Sequence, residues 1–279
     1  MVEVHIRRYT KLLILFYAFF LPFFSYGQKY SLGVKAGPIV NWASFGDKYE
    51  KDTLSGGVKL GYSVGVIVSF PLKHDFDFFA EASYSQKGRR LKYEPENWLN
   101  QATYKFVDVT MLLRKSYTFR LEKNIPSQWY FNIGPEISYW LSGKGYITAG
   151  GPEYPYKMVF EESGDGNGYS NMYMKDVNRF LFGLALGVGF RAPLLRGQHL
   201  NTELRFVSGH TYLGQQESGH LEYLNYGEKD TYKMNLKAIH INFSYTLDFD
   251  IQKSRKGKST LDKKIKSSKN SKNKPRRRR

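Results

Sequence analysis

Ser208, Gly209 and His210, with Glu217 a little further on, are the residues of this 279-residue chain that come nearest to a nucleophilic constellation. A hydroxyl becomes a nucleophile when an imidazole within hydrogen-bond reach takes its proton and a third group orients that imidazole. In a strand, residues i and i+2 share a face, so Ser208 and His210 can meet. Both are ordinary loop residues, and a solvated pair is the expectation. The six histidines, His5, His74, His199, His210, His220 and His240, show no metal spacing such as H-E-x-x-H. Asp165-Gly166-Asn167-Gly168 starts like a calcium loop and then lacks the later acidic ligand. There is no cysteine, which excludes disulfides, thiolate nucleophiles and thiolate metal sites. No phosphate loop or dinucleotide fingerprint occurs, and Gly183 to Gly187 lies inside a strand pattern. No catalytic residue, cofactor or metal is therefore expected.

A second set of reactive groups is charged: Lys35, Lys59, Glu81, Asp108, Arg114, Glu136, Arg191, Glu203 and Arg205. Each sits on the polar side of a segment that alternates apolar and polar residues. Neighbouring side chains of a strand point to opposite faces, so such alternation marks strands with one apolar face. Val58, Leu60, Tyr62, Val64, Val66, Val68 and Phe70 share one face, with Lys59, Gly61, Ser63, Gly65, Ile67 and Ser69 between them. Residues 180–191 repeat the pattern, with Phe180, Phe182, Leu184, Leu186, Val188 and Phe190 opposite Gly183, Ala185, Gly187, Gly189 and Arg191. Segments 30–38, 76–85, 104–114, 129–141, 200–207 and 239–249 read alike. Eight strands result, each near the ~9–11 residues that cross a bilayer at barrel tilt.

A soluble sandwich buries its large side chains and exposes its polar ones. Here the second face is small, glycine-rich and sparsely charged, which suits the crowded axis of a narrow barrel. The connections sort in the same sense. Those near 41–56, 87–102, 142–178 and 209–231 read as long, and those near 71–75, 121–127 and 192–198 as short. Outer-membrane barrels have short periplasmic turns and longer outside loops. The fold expected is thus an all-β, eight-stranded antiparallel transmembrane barrel, its inward charges paired as a structural network. Tyrosines and tryptophans near strand ends, among them Trp42, Tyr49, Trp98, Tyr104, Trp129, Tyr130 and Trp140, read as interfacial anchors.

The ends carry most of the charge. Arg7, Arg8 and Lys11 precede the apolar run Leu12 to Phe24, and Ser25-Tyr26-Gly27 supplies small residues before Gln28. This is the layout of a secretory signal peptide, expected over 1–27. Residues 252–279 hold 14 Lys/Arg against Asp262 and end in Arg276, Arg277, Arg278 and Arg279. Removing +13 for this tail and +2 for the leader from the net +17 leaves only +2 on the barrel segment 28–251. The tail is expected to be disordered and periplasmic, offering its arginines to peptidoglycan carboxylates or to proteins of a periplasmic or secretion complex. Nucleic acid is excluded as a partner by export; outer-membrane lipid is expected.

The strand texts resemble the PorT-like outer-membrane β-barrel family. The pieces that carry the likeness are Glu81-Ala82-Ser83-Tyr84-Ser85-Gln86-Lys87-Gly88, Phe106 to Arg114, Phe131-Asn132-Ile133-Gly134-Pro135-Glu136, Phe182 to Gly189 and Asn242-Phe243-Ser244-Tyr245. The resemblance spans about 28–250. It implies an eight-stranded barrel in the cell outer membrane of a Gram-negative bacterium. It also implies, for some members, an accessory part in type nine protein secretion and gliding. It supplies no catalytic residue. The basic tail and Thr110, where an apolar residue or proline is commoner, depart from the pattern. The expectation is a non-enzymatic scaffold or accessory component. The alternatives are a surface-binding or adhesion barrel working through its outer loops, and, third, a lipid hydrolase.

Overall fold

The computed structural model describes residues 29–48, 50, 55–93, 98–122, 125–149, 151–160, 171–194, 197–221 and 228–250. The signal segment, the basic tail with Arg276 to Arg279, and the 165–168 loop lie outside the described residues. Thirteen strands are described: β1 (Lys29–Phe45), β2 (Ser55–Gly57), β3 (Lys59–Pro71), β4 (Phe76–Tyr93), β5 (Trp98–Glu122), β6 (Ile125–Ala149), β7 (Glu153–Val159), β8 (Asn171–Met174), β9 (Phe180–Pro193), β10 (Gln198–Gly209), β11 (Gly219–Leu221), β12 (Glu228–Asp230) and β13 (Met234–Asp250).

Eight of them close a ring, β1–β3–β4–β5–β6–β9–β10–β13 and back to β1, with every pair antiparallel. Closure leaves no open sheet edge in the ring, so its backbone groups can pair across strands, as hydrocarbon demands because it offers no other partner. The first and last strands meet in register, Lys29 opposite Asp250, so both ends of the barrel chain lie at one rim. The tight connection between β3 and β4 reaches that rim through two successive left-handed residues, His74 (φ 60°) and Asp75 (φ 58°). Such a pair matches the twist of a hairpin. The short turns and both chain ends mark this rim as periplasmic.

The apolar parity faces outward. Val34, Val64, Val66, Val109, Phe131, Ile133, Phe182, Leu184, Leu204 and Phe243 are all exposed on the wall. Trp129 packs with Phe119 and Phe190, ring centroids 6.2 and 5.5 Å away, near the periplasmic rim. The inner parity is crowded. A Cβ on Gly189 would enter the ring of Tyr130, and one on Gly187 would strike the Asn132 amide, so these glycines make room for larger inward residues.

Two expectations are corrected. The segment 87–102 is not a loop: β4 runs on to Tyr93 and β5 begins at Trp98. Residues 142–149 likewise extend β6, and the loops beyond carry β7, β8, β11 and β12. Outside the bilayer the solvent on the outer face is water, so the strands keep their geometry while their apolar parity reverses. Trp140 and Tyr104 are accordingly not interfacial anchors: both turn inward and are buried, and Tyr130 is buried too, on the inner parity of the barrel itself beside Arg114.

Candidate functional site

The barrel axis holds a balanced set of buried charges. Glu81 accepts from Lys35 Nζ at 2.5 Å and from both terminal nitrogens of Arg205, at 2.7 and 2.8 Å. Arg205 Nε donates to Glu203 at 2.5 Å, and the other Glu203 oxygen meets Arg114 Nη2 at 3.4 Å and Asn132 Nδ2 at 2.8 Å. The Arg114 guanidinium lies between the Phe79 and Tyr130 rings, 3.6 Å from each centroid. Further out, Lys87 Nζ lies 3.0 Å from Glu136 and 3.2 Å from Asp108. Ser85 also donates to Asp108, at 2.5 Å, and Thr110 to Glu136, at 3.3 Å. Four cations (Lys35, Lys87, Arg114, Arg205) thus face four carboxylates (Glu81, Asp108, Glu136, Glu203). Burying such charges is tolerable only with this pairing. Ile39, Ile67, Phe79, Leu112, Ala185, Val207 and Ala238 fill the remaining volume from the inner wall.

Lys59 and Arg191 do not join this set. Arg191 sits at the periplasmic mouth and pairs with Asp248 at 3.3 Å; Asp248 also receives Ser31 Oγ at 2.6 Å and lies 2.8 Å from His199 Nε2. Lys59 leaves the axis altogether, and its stem crosses Gly88. Both fall where a strand reaches a barrel rim, and period-two alternation carries no information about depth. Lys87, the cation that holds the outer pair of carboxylates, escaped the sequence reading. Its signal was parity: it shares a face with Glu81, Ser83 and Ser85.

Above the network the interior changes to an apolar cap. Ala43, Phe45, Leu91, Ala102, Tyr104, Phe106, Trp140, Ile147, Tyr156, Met158, Met172, Met174, Leu213, Leu221, Tyr232 and Met234 form one buried cluster. Trp140 meets Tyr104 and Phe160 edge-on, each at 5.0 Å. The outer extensions of β4, β5 and β6 continue through β7, β8 and β11 to β12. This second sheet is tied back to β4 by Arg89, which is fully buried. Its guanidinium bridges to the Asp230 carboxylate, donates to the Thr231 carbonyl at 2.8 Å and stacks over the Tyr232 ring at 4.4 Å. Asn100 donates to Asp230 at 3.0 Å and accepts from Tyr156 Oη at 2.8 Å. Burial holds the Tyr156 and Tyr232 phenols well above their ordinary range, so both remain neutral donors.

Residues 26–213 match the family model described as outer membrane protein beta-barrel domain. The chain belongs to that family. The match takes in seven of the ring strands, β1 to β10, and β13 closes the eighth position. The barrel lies in the outer membrane. Among solved structures, Neisserial surface protein A is 12% identical, covering 80% of this chain and 98% of its own, with a TM-score of 0.38. OprG of Pseudomonas aeruginosa is 13% identical, with coverages of 78% and 95% and a TM-score of 0.43. Ail, the attachment invasion locus protein of Yersinia pestis, is 10% identical, with coverages of 78% and 98% and a TM-score of 0.33. No curated protein matches the chain.

In this barrel Ser208 is the last residue but one of β10 and half-buried, and His210 is exposed just past the strand, its backbone N–H donating to the Phe182 carbonyl at 2.8 Å. No hydrogen bond joins the Ser208 and His210 side chains among the described residues. Nor do the described residues hold a cluster of three His, Asp or Glu groups placed to bind a metal. Among the described residues the built polar sites are thus the interior network, the Arg89–Asp230 bridge within the cap and the Asp248 cluster at the periplasmic mouth.

Proposed function

We propose that this outer-membrane barrel is a sealed, non-enzymatic scaffold, an accessory component of protein export across the outer membrane. The observation that carries this reading is the closure of the axis, by four cations locked to four carboxylates and then by the aromatic and methionine cap. A route for solutes would need a continuous hydrated path, and side chains fill an eight-stranded interior. The finer assignment, to type nine secretion, is supported by the PorT-like strand texts, above all Tyr84-Ser85-Gln86-Lys87-Gly88. The basic tail supplies a periplasmic contact for that machinery or for peptidoglycan, through residues that include Arg276 to Arg279.

One observation favours a second reading. The outer loops are folded into a sheet with its own core, a form suited to presenting a surface for an external ligand. Deleting the gene and assaying proteins released to the medium separates the two. Loss of secreted proteins is expected for the scaffold; intact secretion with lost surface binding overturns it. Purified protein in a planar bilayer is expected to give no steady conductance, and large steady currents would sink the sealed-axis view.

A further inference from the structure

The outer face of the extended sheet carries a basic surface that neither the barrel network nor the cap uses. Lys105 follows Val107 and Val109 on the same outward parity of β5, so it stands just beyond the lipid-facing band. Antiparallel register continues this surface across the sheet. Lys105 faces Ser142, Thr103 faces Lys144, and Lys144 faces Lys157 of β7. Arg90 enters from β4, opposite Gln101. Lys59 reaches in from β3: its stem lies so close over Gly88 that an added Cβ would meet Lys59 Cδ at 2.9 Å. From there it is near enough to Lys144 to be repelled by it.

Arg90, Lys105, Lys144 and Lys157 are exposed, and Lys59 is half-buried. None of the five makes an ion pair among the described residues. Among the described residues Glu153 shares this sheet face, and it pairs with Thr148, four residues beyond Lys144. Like charges placed directly across strands are unfavourable. Five cations kept together with no ion-pair partner among the described residues therefore mark a surface that meets an anion. We propose that this flank binds the phosphate groups on the saccharide headgroup of an outer-leaflet glycolipid.

Two features favour that partner over a soluble polyanion. The cations project sideways from the wall, into the headgroup layer. Directly beneath them lies apolar wall, with Leu60, Tyr62 and Val107 exposed, against which acyl chains can pack. A phosphorylated lipid uses both halves of this surface, and a soluble anion uses only one. Lysine suits the task as a flexible point charge for phosphate.

The test uses the full chain folded in detergent, titrated with diphosphorylated lipid A and with the same lipid after enzymatic dephosphorylation, with binding read by native mass spectrometry. The phosphorylated lipid is expected to bind about tenfold or more tighter, since each basic group near an anionic surface adds on the order of one kcal/mol. Added salt should shrink the preference. The triple variant Lys105→Gln, Lys144→Gln, Lys157→Gln should lose the preference while keeping heat-modifiable mobility, and arginine at the same three positions should retain it. Should the triple variant fail to fold, Lys157→Gln alone, on β7 outside the ring, must still lower it. Equal binding of the two lipids, an unchanged preference in the glutamine variants, or binding of heparin in place of lipid A would each overturn the proposal.

Discussion

Glu81 is the carboxylate on which the barrel axis turns. It holds two cations at once, and Lys35 has no other carboxylate partner among the described residues. A buried charge stripped of its partner keeps its full desolvation penalty, which makes breaking such a pair far costlier than the pair itself is worth. Glu81→Gln is therefore expected to lower folding stability by about 3–5 kcal/mol, read as a shift of the urea midpoint for folding into lipid vesicles. A shift near zero would mean that water reaches Lys35. The parity of Glu81, Asp108, Glu136, Glu203 and Arg205 was legible from alternation alone. Which cation meets which carboxylate was not, because, Arg205–Glu203 apart, the partners come from different strands, up to 124 positions away in the chain.

At the scale of elements, the outer sheet stands apart from the ring it grows from. β7, β8, β11 and β12 are short, between three and seven residues, and of them only β7 pairs with a ring strand. Their order depends on the apolar cap and on Arg89. Arg89→Ala leaves Asp230 buried beside aromatic rings with Asn100 as its remaining side-chain partner. The cap should then open locally while the ring stays closed. Limited proteolysis between β11 and β13 is expected to accelerate on the order of a hundredfold, with heat-modifiable mobility unchanged. Equal cleavage rates would show that the apolar cluster holds the sheet without its ion pair. These strands were hidden in the sequence because their outward and inward characters exchange at the membrane boundary. On β5, Tyr104 and Phe106 are inward and apolar, whereas Asp108 and Thr110, on the same parity, are inward and polar.

The whole molecule is divided by its solvents. Lipid surrounds the ring and favours apolar groups outside; water surrounds the outer sheet and favours them inside. The bulge between Lys105 and Phe106 lies at this change, where Leu141 has no partner across the pair. A charge on the lipid-facing wall near mid-depth tests the division. Leu184→Arg should weaken folding into vesicles by about 2–4 kcal/mol. The same change should matter little in a short-chain detergent that lets the arginine reach water. A uniform effect in both media would argue against a lipid-facing Leu184.

The sequence by itself determined the ring: eight alternating segments, short turns at one rim, and charges of both signs on the inner parity. It could do so because strand periodicity and turn length are local properties, written in consecutive residues. Only the tertiary structure decided the pairing inside the axis, the exclusion of Lys59 and Arg191 from it, and the cap that closes the outer mouth. Each of these depends on depth in the membrane and on contacts between distant strands, and an alternation of period two has the same form at every depth.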